Sequence, residues 1–400
     1  YTTLFRSRGV EKIESLRAKL YEGMAANGIV GDDADNIYGR IQAFAGFGFA
    51  ESHALSFGLL VYASAWVRLH YPAAFLAALL RAQPMGFYSP QSLVADARRH
   101  GVVVLRPDIQ RSGVYAALEA TDSGSATAGH PPTTGRPECL HREQPPVGPF
   151  VRSDPDFTAD HRRDGAFAVR LGLDEVSGIG TSVAKRIVAE RDRGGEYHDM
   201  NDLVRRADLT TAQLETLAAA GAFDTFGLAR REALWNAGNA AQDRAQYLPG
   251  SIVAVQPPLF AMPSPVEELM SDLWATGISP DSHPVQHLRE ALAERGVVTA
   301  AGLAAAQPGR RIEIAGVVTH RQRPATASGI TFLNIEDETG LINVICSVGV
   351  WTRYRRVVRE APALIVRGIL ERSAEGVTNV LADRFEVLVM APHTRSRDFR

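Results

Sequence analysis

The hydrophobic period of this 400-residue chain changes once, and the change restricts the folds that the chain can adopt. Up to about residue 295, apolar residues recur at three- and four-residue spacing, which is typical of amphipathic helices. Beyond that point they alternate with polar residues in five short segments, with one helical segment before the fourth. The five segments are residues 311–319, 331–336, 341–346, 363–370 and 378–388, and the helical segment is 350–359. The sequence therefore predicts a multidomain chain, with all-α domains followed by a C-terminal all-β barrel.

Composition excludes several classes of protein. The apolar runs are interrupted well short of the roughly 20 residues that a membrane span needs, so we expect no membrane contact. Only two cysteines, Cys139 and Cys346, are present, which excludes a disulfide framework and a four-thiolate zinc site and favours the reducing cytoplasm. No P-loop, Gly-x-Ser-x-Gly or His-Glu-x-x-His motif occurs. We therefore predict no catalytic residue, cofactor or metal site within this chain.

The five strands with a helix before the fourth match the partly open barrel of an OB-fold. Residues 295–400 carry 15 arginines and 10 acidic residues, a net charge of +5, although the whole chain has a net charge of −2. Arg321 and Arg323 are predicted in the loop after the first strand and Phe332 on the second, where such barrels bind single strands by charge and stacking. A core position for Phe332 and solvated arginines remain the alternative.

Residues 176–187, VSGIGTSVAKRI, fit a helix-hairpin-helix motif, in which two glycines flank an aliphatic residue before a helix. The glycines permit a tight turn whose free amides, with the N-terminus of the next helix, face a DNA phosphate. The alternative is an ordinary helical hairpin. Residues 166–240 carry a net charge of −2, so modest affinity is expected. The predicted DNA-binding residues are Gly178, Gly180, Thr181, Ser182, Lys185 and Arg186.

A second hairpin is predicted at residues 209–223, where Gly221 follows a helical segment. It lacks the paired glycines of the first motif. We therefore expect it to support the first hairpin by packing. Residues 121–165 contain seven prolines and almost no aliphatic residues, so we expect a disordered insertion there.

Two further stretches carry a resemblance to a known family. Residues 44–66, FAGFGFAESHALSFGLLVYASAW, and residues 84–96, PMGFYSPQSLVAD, resemble the C-terminal part of bacterial C-family DNA polymerases, the DNA polymerase III alpha-subunit type. The hairpin, the HPVQHLR segment at 283–289, the barrel and the RSRDF segment at 395–399 follow in the family's order. More narrowly, the chain resembles the error-prone DnaE branch, also called ImuC, which acts in translesion synthesis after DNA damage.

The resemblance implies that this chain completes the fingers, holds duplex DNA with the hairpins and meets the template strand with the barrel. The family's catalytic aspartates lie in a palm domain that would precede this chain, where two Mg²⁺ ions and deoxynucleotide triphosphates bind. The chain alone should therefore not polymerise DNA. The expected segments are possible foreign or linker sequence (1–8), fingers (9–115), the disordered insertion (116–165), a tandem helix-hairpin-helix domain (166–247), a linker with short helices (248–295), the OB-fold (296–390) and a C-terminal tail (391–400).

The resemblance also implies two smaller sites. Ser52 and His53 match a fingers motif near the incoming nucleotide, although a helix cap and a packing histidine are the alternative. Gln256, Leu259 and Phe260 fall where replicative relatives carry a peptide that binds the sliding clamp. Because the error-prone branch often reaches the clamp through an accessory translesion protein, an incidental linker is the alternative for this peptide.

Two other functions compete with this interpretation. A non-catalytic protein that binds single- and double-stranded DNA could be complete within these residues, and an upstream reading frame with paired aspartates would decide against it. A DNA ligase built from the same hairpin and barrel would need a Lys-x-Asp-Gly nucleophile and a four-cysteine zinc site. Neither feature is present in the sequence.

Overall fold

The computed structural model describes residues 2–45, 51–86, 88–121, 161–242, 262–324, 327–373, 377–390 and 397–399. The chain divides into two compact units, Tyr1–Val67 and Arg68–Arg400. The expected fingers segment, 9–115, is thus split, because its C-terminal part packs within the second unit. None of the helices in the described ranges is both long and apolar enough to cross a membrane.

The first unit is helical. Its first two helices are joined by tyrosine–carboxylate hydrogen bonds, from Tyr21 to Asp35 at 2.5 Å and from Tyr38 to Glu14 at 2.7 Å. The first helix begins at Thr2, so residues 2–8, which we expected to be foreign or linker sequence, continue directly into it. The helices are α1 (Thr2–Ala26), α2 (Asp32–Ala45) and α3 (Glu51–His70), the last of which ends in the second unit.

The second unit begins with two helices and a three-stranded sheet. The helices are α4 (Pro72–Arg81) and α5 (Pro90–Arg99), and the strands are β1 (Val104–Leu105), β2 (Ala117–Ala120) and β3 (Phe167–Arg170). The sheet order is β1-β3-β2, and β2 is antiparallel to β3. Leu76, Leu80, Val94, Val169 and Ile278 form a common core, which joins the end of the fingers segment to later parts of the second unit.

The expected disordered insertion, 116–165, is therefore too wide at its N-terminal edge. Strand β2 lies inside it and pairs along its full length with β3. At the other edge, the carboxylate of Asp164 is buried and accepts hydrogen bonds from the backbone N–H groups of Ala73 and Ala74. The middle of the insertion, residues 122–160, lies outside the described residues.

Five helices form the next layer. They are α6 (Thr181–Gly194), α7 (Met200–Ala207), α8 (Thr211–Ala219), α9 (Arg230–Ala240) and α10 (Pro265–Ala275). Ile179, Ile187, Leu203, Leu217 and Phe223 are buried in one core that both hairpins share. Helix α10 lies where we expected a linker with short helices, and its Asp272 is buried and pairs with Arg106 and Arg230. This ion-pair cluster and the buried Leu269 make α10 part of the folded domain.

The C-terminal strands form a closed five-stranded barrel with OB-fold topology. The elements are α11 (Arg289–Glu294), β4 (Arg311–Gln322), β5 (Thr331–Asp337), β6 (Gly340–Cys346), α12 (Val348–Glu360), β7 (Ala363–Arg372) and β8 (Thr378–Val387). Around the barrel the order is β5-β6-β8-β7-β4, and β4 also pairs with β5. Gly316 and Gly368 lie where strands approach so closely that a Cβ would clash with the backbone of Glu336 and Leu381. The predicted fold class, all-α domains followed by an OB-fold, is confirmed.

Two boundaries of the barrel differ from the sequence prediction. The first strand extends to Gln322, three residues past the predicted end, after a register shift between Val318 and His320. The expected C-terminal tail, 391–400, contributes a short strand, β9 (Arg397–Phe399), that pairs in parallel with the end of β4. Both additions lie at the same end of β4.

Candidate nucleic-acid interface

The glycine turn of the first hairpin has the geometry that the motif requires. Gly178 has φ +78, a conformation that residues with a Cβ rarely adopt, and Gly180 is the residue that caps α6. Both glycines are exposed, and the space where either Cβ would lie is open. Between them the buried Ile179 fixes the turn to the hydrophobic core. The turn is therefore anchored on one side and accessible on the other.

Four N–H groups at this turn are available to an anion. Within the described residues, no hydrogen-bond acceptor occurs for the amides of Gly178, Gly180, Thr181 and Ser182. Helix α6 also has no side chain capping its N-terminus. Because the first amides of a helix carry partial positive charge and need an acceptor, this turn can bind a phosphate oxygen.

The two predicted cations of this motif differ in their surroundings. Lys185 is exposed on α6 and has no ion-pair partner in the described part of the chain. Arg186 is also exposed, but its guanidinium donates to the carbonyl oxygens of Ala207 at 2.6 Å and Asp208 at 3.3 Å. Arg186 thus ties α6 to the end of α7, which leaves Lys185 as the freer cation.

The second hairpin packs against the first. Thr210 and Gln213 form a capping box at the start of α8, and Gln213 Nε2 donates to the carbonyl oxygen of Gly178 at 3.4 Å. The turn at Gly221 has φ +74 and is enclosed by the side chains of Arg106 and Arg230. This enclosed turn offers no open face to a phosphate, in agreement with the packing role that we expected.

On the barrel, Phe332 lies on the outer face. The side chains on either side of it along the strand, Thr331 and Leu333, are buried, whereas Phe332 is half-buried and outside the barrel core. It pairs with Gln322 on β4 and Ile345 on β6. Phe332 is therefore not a core residue of the barrel. Its ring lies on the outer face, where the bases of a nucleic-acid strand could stack.

Arg321 does not lie in a loop as predicted. It is a residue of β4, 7% exposed, on the same side of the sheet as its register partner Leu333. Its guanidinium donates to the carbonyl oxygens of Val358, at 2.7 Å, and Ala361 at the end of α12. The β-bulge beyond Val318 causes this inward orientation, because the extra residue reverses the alternation of the strand.

Arg323, in contrast, is exposed just beyond β4. Its guanidinium lies 5.2 Å from the ring centroid of Trp351 on α12, and Nε donates to the carbonyl oxygen of Gly329. These contacts hold the charge at the surface where β4 ends and α12 begins.

Sequence reasoning missed four exposed arginines on α12. These arginines follow Trp351, the residue that stacks with Arg323. They give the helix a strongly positive surface, and Glu360 is the one acidic residue of the helix. The run RYRRVVRE in the sequence is the signal that could have identified them. We call them, with Arg323, the arginine cluster: Arg323, Arg353, Arg355, Arg356 and Arg359.

The remaining predicted sites are less well defined. His53 is exposed on α3, where its ring contacts Phe57 edge-on at 4.5 Å, and Ser52 lies in the same helix with its side chain outside the described residues. The expected clamp peptide, Gln256, Leu259 and Phe260, also lies outside the described residues.

Two observations bear on metals and thiols. In the described ranges, no group of three or more His, Cys, Asp or Glu side chains is placed to hold a metal ion. Cys346 is a buried free thiol in the barrel core, and burial raises its pKa to about 11. It is therefore a packing residue and not a nucleophile.

Comparison with known proteins agrees with this architecture. A family model described as a helix-hairpin-helix motif matches residues 148–233, and one described as an OB-fold nucleic acid binding domain matches residues 312–388. Error-prone DNA polymerases from Cutibacterium acnes, Nocardia farcinica and Mycolicibacterium paratuberculosis are 56%, 47% and 46% identical to this chain, each over 98% of it. The resemblance to error-prone DNA polymerases is confirmed.

The chain spans only about a third of these relatives: 34%, 31% and 32% of their respective lengths. Among solved structures, asparaginyl-tRNA synthetase from Pyrococcus horikoshii is similar over 24% of this chain, with 22% identity and a TM-score of 0.21. That score is too low to support a comparison of the two folds.

Proposed function

We propose that this chain is the C-terminal portion of an error-prone, DNA-directed DNA polymerase that acts in translesion synthesis and DNA repair in the cytoplasm. The observation that carries the proposal is the row of unpaired amides at the Gly178 turn, in a chain with error-prone polymerases as relatives. In this proposal the turn and Lys185 hold the duplex behind the active site. Thr181 and Ser182 contribute backbone amides, and Arg186 positions α6.

The barrel has a separate role in this proposal. The arginine cluster and Phe332 would hold the single-stranded template, since exposed guanidinium groups neutralise phosphates and an aromatic ring on the outer face of the barrel can stack on bases. Arg321 supports this surface from inside the barrel by holding α12 in place.

Catalysis would take place outside this chain. A palm domain would bind Mg²⁺ and the deoxynucleotide triphosphate, and Ser52 and His53 would lie near the incoming nucleotide. The peptide with Gln256, Leu259 and Phe260 would contact the sliding clamp, directly or through an accessory protein. Each of these assignments rests on the resemblance to the polymerase family.

A primer-extension assay tests the proposal. The purified chain should bind a primer–template without adding nucleotides in the presence of Mg²⁺. The whole polymerase should extend the primer, and the double variant Gly178→Ala, Lys185→Ala of it should bind DNA more weakly and give shorter products. Nucleotide addition by this chain alone, or unchanged extension by the double variant, would contradict the proposal.

A further inference from the structure

The outer face of the barrel is covered on one side and open on the other. Over β4 and β7, Val317 and Ile365 pack against Val285 and Leu292 from the segment that precedes the barrel. Over β5, β6 and β8, most outward side chains are exposed or half-buried, although Glu336 at the end of β5 is buried against Ser92 and Arg99 of α5. A ligand of the barrel therefore has access to the second of these surfaces.

Three asparagines form a straight row across this open surface. Asn334 on β5 is the register partner of Asn343 on β6, which is in turn the register partner of Asn379 on β8. We call these three residues the asparagine row. Asparagine is depleted in strands, so three in register on adjacent strands are an unfavourable choice for stability alone. A function on this face would account for them.

The amide side chains of the row are available for binding. In the described part of the chain, no hydrogen bond is formed by the side-chain amides of Asn334, Asn343 and Asn379, and all three are exposed or half-buried. Two residues further along the strands lies a parallel apolar row, roughly 6.6 Å away at the usual strand rise. This apolar row consists of Phe332, Ile345 and Leu381.

The charges around the two rows determine what can bind. The apolar row lies toward the end of the barrel that carries Arg323, since Phe332 follows the loop after β4. At the far side of the asparagine row, Asn379 pairs with the exposed Glu371 of β7, which would repel a phosphate. Phosphates are thus favoured at the arginine cluster and uncharged groups at the asparagine row.

We propose that the asparagine row contacts the base edges of single-stranded DNA lying across the barrel, and does so without preference for a particular base. The inference rests on the proposed function of the barrel in binding a template strand. Each side-chain amide has a carbonyl acceptor and an NH₂ donor, and rotation by half a turn exchanges them. Because every base edge presents donors or acceptors, an unconstrained amide can pair with any of them. Binding of this kind suits a template whose bases vary or are damaged.

The test is a binding measurement on the whole chain. Fluorescence anisotropy would be recorded with labelled oligonucleotides of about 12 nucleotides, composed of T, A or C alone, and with a duplex. The variants are Asn343→Val and the triple variant Asn334→Val, Asn343→Val, Asn379→Val, and Asn239→Ala on α9 is the control for loss of an amide elsewhere. Valine is favoured in strands, so the barrel should remain folded, which thermal unfolding would verify.

We expect the native chain to bind the three single strands within about threefold of one another. The triple variant should lose at least about tenfold in affinity for all three, and Asn343→Val about threefold, as expected for lost hydrogen bonds to bases. Duplex affinity and the Asn239→Ala control should be unchanged. If the native chain binds single strands and both folded valine variants bind them equally well, the proposed role of the asparagine row is wrong. The barrel's proposed function would not be affected by that result. Failure of the native chain to bind any single strand would overturn the barrel's proposed function and this inference together.

Discussion

The Nε atom of Arg321 donates a hydrogen bond to the carbonyl oxygen of Val358 at 2.7 Å. The same guanidinium donates to Ala361, so one buried side chain joins β4 to the end of α12. The last carbonyl groups of a helix have no hydrogen-bond donors within the helix, and the guanidinium of Arg321 supplies donors to two of these groups. An arginine that the sequence suggested as a DNA ligand is thus a structural residue that supports the arginine cluster.

Replacing this residue should destabilise the barrel. Arg321→Met keeps the side-chain length but leaves buried carbonyl groups without donors, which should lower the free energy of unfolding by about 2 kcal/mol. Arg323→Met, at an exposed position, should change it by less than about 0.5 kcal/mol. Urea denaturation followed by circular dichroism measures both variants. Equal losses would show that Arg321 is not the buried link.

The two exposed glycines with φ +78 at opposite ends of α6 provide a matched pair. Gly178 and Gly195 both have open space where a Cβ would lie, and because both have positive φ, alanine at either position meets backbone strain on the order of 1–3 kcal/mol. Of the two glycines, only Gly178 belongs to the turn whose unpaired amides precede α6. Duplex affinity, measured by anisotropy at fixed salt, should therefore fall severalfold in Gly178→Ala and stay the same in Gly195→Ala. Equal affinities in the two variants would contradict the phosphate-binding turn.

Lys185 should contribute one phosphate contact. Lys185→Ala should weaken duplex binding for all sequences alike and reduce the slope of log affinity against log salt by about 0.9. Arg193→Ala, at the other end of α6 and paired with Glu190, is the control and should leave the slope unchanged. A titration of affinity against NaCl concentration checks both. An unchanged slope in Lys185→Ala would remove this residue from the interface.

The arginine cluster should control single-strand binding. The double variant Arg355→Gln, Arg359→Gln should lower single-strand affinity and reduce its salt slope by about 1.4, which is two contacts at about 0.7 each. The control double variant is Arg311→Gln, Arg367→Gln, in which both arginines pair with Asp383 on the barrel. The same salt titration with a single strand distinguishes them. Equal slopes in the two double variants would argue against binding by α12.

Glu175 should reduce stability at neutral pH. Burial, with the neighbouring charge of Asp174, raises the pKa of Glu175 to about 7 from an ordinary value of 4.5. The folded state therefore holds a proton that the unfolded state loses between about pH 4.5 and pH 7, and stability falls as the pH rises through this window. Glu175→Gln should stabilise the chain by about 2 kcal/mol at pH 8 and change little at pH 4.5. Urea unfolding at the two pH values checks this, and an equal effect at both would contradict it.

The sequence predicted the barrel well and the positions of its arginines poorly. Alternation located all five strands, because the inward residues Leu333, Ile335, Ile342 and Val344 are strictly apolar. The same alternation could not reveal the bulge after Val318, which turns Arg321 inward. A bulge depends on pairing with another strand and has little signature in one strand's own sequence.

In the helical part, local motifs were readable and long-range pairing was not. The Gly178 turn followed from its own residues. The burial of Asp272 between Arg106 and Arg230 joins segments far apart in the chain, so no local pattern could predict that the helix expected after the linker packs into the folded domain. The asparagine row has the same origin, since its members align only when three strands pair in register.

The most direct test of the central claim is to observe the amides of the hairpin turn while DNA binds. In a chain labelled with ¹⁵N-glycine, the resonances of Gly178 and Gly180 would be followed by NMR as a short duplex is added, with Gly195 and Gly227 as internal references. The account predicts that Gly178 and Gly180 shift progressively and saturate with the duplex, while the reference glycines do not move. Saturable duplex binding that leaves Gly178 and Gly180 unshifted would contradict it.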